Sequence, residues 1–211
     1  MAVCRGEKGL AIVIPVTSQP EPLSFDADVR KPGLDYLRKS GITPNLPAPA
    51  KTEFKPCWRA CLGELHSRYN GICAYTCIYL ERVTGGISVD HFVAKSMARA
   101  ELAYQWSNYR LASMAMNVRK NRYDDVLDPF SLTAETFHLE LVSGSIFPNP
   151  ALAGTNTEPA VAIARLGLDD PEFRQTRASW FGDYVNRDIS EHYLQTHSPF
   201  VWYEAQRQGL L

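Results

Sequence analysis

No apolar run in this 211-residue sequence approaches the roughly 18 residues that a bilayer-spanning helix needs. The longest, residues 9–16, gives way to the proline-bearing acidic stretch Gln19 to Pro22 without a small-residue cleavage site, so it predicts a strand rather than a leader. Cysteine is scarce. Five residues leave one unpaired in any disulfide scheme, and a chain of this length buries a core without staples, which points to a reducing cytoplasm. Excess charge of either sign is missing too: the net charge of −1 says nothing about partners until it is mapped. Internal repeats and low-complexity tracts are absent. With 45% hydrophobic, 11% aromatic and 21% charged residues the chain has globular composition, neither disordered nor coiled coil.

Mapped along the chain, the charge is uneven. From His91 to Arg122 six basic residues meet the single acid Glu101, a local net charge of +5 that leaves −6 for the remainder. Contact with a polyanion needs such a segment, and a solvated basic helix face looks the same. The first fifty residues hold one short apolar run and then six prolines from Pro20 to Pro49, which suits a wrapping segment better than a core. From Lys51 to Tyr69, Phe54, Cys57, Trp58, Cys61, Leu62 and Leu65 recur at helical spacing, and Asn70-Gly71 ends that helix. Residues 72–80 and 87–92, both rich in β-branched and aromatic side chains around Gly85-Gly86, predict a β-pair. A short strand at 109–112 and a helix over 113–122 follow. Alternation of Phe137, Leu139 and Leu141 before Ser143-Gly144 predicts a hairpin, and Asp170-Pro171 and Ser198-Pro199 open C-terminal helices. The expected fold is α+β, organised as residues 1–50 (strand and wrapping segment), 51–125 (helix, then the strands and helix of the basic segment) and 126–211 (hairpin and helices).

The chemistry concentrates in Asp90-His91, Asn108 and Asn117. Histidine is the side chain whose unperturbed pKa suits general-base work near neutrality. Asp90 and Asn117 offer hard oxygens, which favour Mg²⁺ or Mn²⁺ over zinc. Neighbouring strand residues point to opposite faces, so Asp90 and His91 can act from opposite sides of a reacting group. Lys95, Arg110, Arg119, Lys120 and Arg122 are candidate phosphate contacts, with Lys120 the leading one because it shares the helix face of Asn117.

This ordered set, over about residues 71 to 125, resembles the HNH (ββα-metal finger) endonucleases. The resemblance implies a ββα-metal finger embedded in a mainly helical domain with an additional hairpin. It further implies hydrolysis of phosphodiester bonds in DNA, with RNA not excluded. His91 would be the base, Asp90 and Asn117 would hold one Mg²⁺ or Mn²⁺, and Asn108 would orient the histidine or hold its loop. Many family members carry two Cys-x-x-Cys pairs that bind a structural zinc. Here the first is stretched to Cys73 and Cys77, and Ser113 and Met116 stand at the second, so structural zinc is not expected. A substitute cage from Cys57, Cys61, Cys73 and Cys77 is the remaining route to zinc, against the plainer reading of buried thiols. Resemblance to small antiphage-defence proteins adds a possible protein partner such as a defence-system ATPase. The competing class is a noncatalytic HNH-like nucleic-acid-binding or interaction module.

Overall fold

A computed structural model describes residues 16–84, 86–96, 99–133, 135–152 and 157–211. The strand expected over residues 9–16 lies outside them except for Val16, as does Gly85. The chain is α+β, and the described residues form seven α-helices and two antiparallel two-stranded sheets. In chain order they are α1 (Lys31–Lys39), α2 (Leu62–Arg68), β1 (Ile87–His91), β2 (Tyr109–Ser113), α3 (Met114–Lys120), β3 (Phe137–Glu140), β4 (Ser145–Pro148), α4 (Glu158–Leu166), α5 (Pro171–Val185), α6 (Glu191–His197) and α7 (Pro199–Arg207). No described helix is long and apolar enough to cross a membrane.

The expected β-pair between 72–80 and 87–92 does not form. β1 pairs instead with β2, in a register that sets Asp90 opposite Arg110 and His91 opposite Tyr109. Residues 72–80 close on themselves through an Ile72–Tyr79 bridge, and Cys77 sits at φ 53°, which breaks an extended run. The apolar content of this segment reflects burial of Cys73, Ala74, Tyr75 and Cys77 rather than a ladder. The helix expected over 51–69 is shorter: a 3-10 turn at Cys57–Cys61 leads into α2, which ends, as the sequence implies, at left-handed Asn70 and Gly71. The hairpin forms as β3 and β4. Its turn needs Gly144, at φ 70°, because a Cβ there would strike the carbonyl oxygen of Arg174.

The proline-rich N-terminal segment does more than wrap. A π-helical turn at Asp26–Arg30 continues into α1, with Pro32 in the first helical turn, where a missing N–H costs little. Phe25, Val29 and Leu37 are fully buried. They join Leu65, Tyr104, Tyr109 and Leu111 in one core, and α1 reaches Tyr104 so closely that a side chain at Gly33 would overlap its ring. A second core gathers Tyr75, Met116, the β3–β4 hairpin and the apolar faces of α4, α6 and α7. The β1–β2 ribbon lies between the two: Val89, Tyr109 and Leu111 pack into the first, Ala112 into the second.

Candidate functional site

His91 closes β1 and is buried, as its neighbour Asp90 is. Its Nε2 lies 3.0 Å from the carbonyl oxygen of Ala103, which also accepts the Tyr109 hydroxyl at 2.7 Å. A carbonyl only accepts, so Nε2 carries the proton and Nδ1 keeps its lone pair. Among the described residues nothing hydrogen-bonds Nδ1. Burial, with Lys95 and Lys120 adding to it, pushes the imidazole pKa down to about 3, and the hydrogen bond to Ala103 only partly opposes this. The ring is neutral at pH 7. Trp58 and Tyr109 meet it edge to face, at centroid distances of 4.7 and 5.1 Å.

Asp90 faces the other core. The buried Tyr75 hydroxyl donates to its Oδ2. Burial holds the carboxyl pKa above its ordinary value, and Lys120, the Tyr75 hydroxyl, Arg110 and Lys95 only partly oppose this. From α3, whose first turn is capped by Ser113 Oγ accepting from Met116 N, Asn117 packs on β1. Its Nδ2 donates to Ser88 Oγ at 3.2 Å and to the Val89 carbonyl at 3.3 Å, and its Oδ1 accepts nothing from the described residues. Asn108 pins the intervening loop: Oδ1 accepts from Val93 N, while Nδ2 donates to the carbonyls of Val93 and Leu102. Leu102 precedes the residue whose carbonyl holds His91, so Asn108 is placed to fix that acceptor.

Asp90, His91 and Asn117 line one cleft of about 520 Å³, together with Lys95, Arg122 and a strap of residues 48–54. Lys95 Nζ sits 4.1 Å above the Trp58 ring, and Arg122 is exposed at the rim. The other predicted phosphate contacts are engaged by partners within the protein. Arg110 is buried, paired with both carboxylate oxygens of Asp128 and stacked 3.5 Å from the centre of the Phe130 ring. Arg119 bonds Asp170 and the carbonyl of Leu166, tying α3 to the start of α5. Lys120, favoured from its helix position, is fully buried, with Nζ on the carbonyls of His91 and Phe92. Asn117 and Lys120 share the side of α3 that packs on β1, and at Lys120 that side is buried.

Among the described residues no three His, Cys, Asp or Glu side chains converge as a metal cage. The hard oxygens of the cleft include the Asp90 carboxylate and Asn117 Oδ1, beside the side chains of Thr52, Ser96 and Asn121, a donor set that suits a largely hydrated Mg²⁺ or Mn²⁺ and not a soft ion. The four described cysteines divide between the cores, Cys57 and Cys61 in one and Cys73 and Cys77 in the other. Burial lifts the Cys61 and Cys77 thiols to about 12. Trp58, Tyr75 and the strap escaped the sequence reading. Trp58 carried only the signal of an apolar helix position, and Tyr75 lay inside a segment notable for its cysteines. No family model matches the chain, and no curated protein matches it.

Proposed function

We propose that β1, β2 and α3 form a ββα-metal finger and that the chain is an HNH endonuclease hydrolysing phosphodiester bonds in DNA. The observation that supports this best is the meeting of Asp90, His91 and Asn117 at one cleft, with His91 Nδ1 unprotonated and Nε2 committed to a carbonyl. In this reading His91 Nδ1 takes the proton of the attacking water, and the Ala103 carbonyl stabilises the imidazolium that results. Lys95 and Arg122 hold phosphate oxygens. Asp90 and Asn117 would hold one divalent ion, which supplies charge neutralisation at the phosphoryl group and the leaving oxygen. Cytoplasmic location and an ATPase partner in antiphage defence belong to the same reading.

The noncatalytic module is the second reading, favoured by the low basicity of buried His91. Plasmid nicking separates the two. Purified protein should nick plasmid with Mg²⁺ or Mn²⁺ and stop in EDTA, and His91→Ala should lose ~10²–10⁴-fold in rate while still binding Mn²⁺. Nicking by His91→Ala at the parent rate would remove the finger from consideration as the active site.

A further inference from the structure

We infer that the cleft admits an unpaired nucleic-acid strand and excludes a duplex; the cleavage arm of the test below rests on the nuclease reading. The acting groups are recessed: Asp90 is 2% and His91 6% exposed. The cleft, at about 520 Å³, has the size of a site for one small ligand rather than for a double helix. A phosphate of intact duplex brings its base pair and the opposite strand with it, and these would meet the strap before the phosphate met His91.

The strap is anchored at both of its ends. Ala100 N donates to the Leu46 carbonyl and Glu101 N to the Pro44 carbonyl, each at 2.9 Å. On its far side the Tyr36 hydroxyl donates to the Glu53 carbonyl and the Tyr104 hydroxyl to that of Lys55. Its inner surface offers Phe54, with Trp58 beyond it, to a base turned out of a strand, and Lys51 adds a third cation beside Lys95 and Arg122. Aromatic faces among cations are how proteins hold single strands without reading sequence.

The test uses the full chain with Mn²⁺ and one labelled DNA sequence in three forms: single strand, blunt duplex, and duplex with a central unpaired loop. The single strand and the loop should be cut about tenfold faster than the duplex, the worth of one stacked base. A duplex cut as fast as the single strand overturns the inference and leaves the nuclease reading standing. If no form is cut, the nuclease reading fails, and anisotropy in EDTA decides the inference alone. Single strand bound about tenfold tighter than duplex supports it, and equal binding overturns it. Phe54→Ala, checked for fold by circular dichroism, should weaken single-strand binding about tenfold and leave duplex binding unchanged; Phe54→Leu serves as the second variant if Phe54→Ala does not fold, and single-strand binding left intact counts against the cleft.

Discussion

The indole of Trp58 stands nearly perpendicular to the imidazole of His91, at 85° between planes, and the same indole carries the Lys95 ammonium over its ring. One side chain from outside the β1–β2–α3 unit therefore sets both the proposed base and a proposed phosphate contact.

Trp58→Leu should keep the fold, with a stability loss of ~1–3 kcal/mol from the smaller ring-to-aliphatic packing. Its cleavage rate should fall about tenfold or more as Lys95 loses its seat and His91 its wall. Denaturant melts and single-turnover rates measure the two effects separately. A stability loss without a rate loss would make Trp58 packing alone.

Tyr75→Phe deletes the hydroxyl on Asp90 Oδ2 and little else. Outer groups that orient a ligand carboxylate are worth ~10–100-fold in metal affinity, so Mn²⁺ binding by calorimetry should weaken by that order and saturating Mn²⁺ should restore rate. Unchanged Mn²⁺ affinity would mean that Asp90 is held by the peptide scaffold rather than by Tyr75.

Arg122 and Lys120 should behave oppositely, although both belong to the basic segment. Arg122→Ala should lower the slope of log affinity against log salt by about one unit while stability stays within ~0.5 kcal/mol. Lys120→Ala removes a buried donor from two carbonyls and should cost ~2–4 kcal/mol in denaturant melts, without the change of slope that a lost phosphate contact gives. A salt-slope change in Lys120→Ala would place its ammonium in the cleft.

Asp169 supplies a pH test of the second core. Burial works against its ionised form, but Arg174, Ile146 N and Ser145 prevail and hold its carboxyl below the ordinary 3.8. A lowered folded pKa means that the stabilisation is present in full above 3.8 and is lost as pH falls through the folded value. Between the parent and Asp169→Asn, the stability gap should therefore be ~1 kcal/mol near neutrality and shrink in acid. A gap that widens toward low pH would reverse the assignment.

Local chemistry was legible in the sequence where one residue type settles one conformation. Asn70-Gly71 ends a helix, Ser143-Gly144 turns a hairpin, and Asp170-Pro171 starts a helix, because each choice is made within a few bonds. Partnership across the chain was not. The β-rich look of residues 72–80 is burial without a ladder, since apolar composition states how deep a segment lies and not what it pairs with. Likewise Arg110, Arg119 and Lys120 advertise charge, but Asp128, Asp170 and two backbone carbonyls that absorb it come from elsewhere. Of the candidate site, Asp90, His91 and Asn117 were legible as an ordered set, and they line one cleft; Trp58 and Tyr75 were not, because nothing local marks a tyrosine as the holder of a carboxylate.

The ribbon of β1 and β2 is a party wall. Asp90 and His91 are joined by one peptide bond, yet each leans on a different half of the molecule, one on Tyr75 and the other on Trp58 and Tyr109. Their relative aim is a property of both halves at once. Loosening either side, however far from the cleft, would turn one member of the pair against the other before the protein unfolds. Damage in two structurally separate regions would then produce the same functional defect.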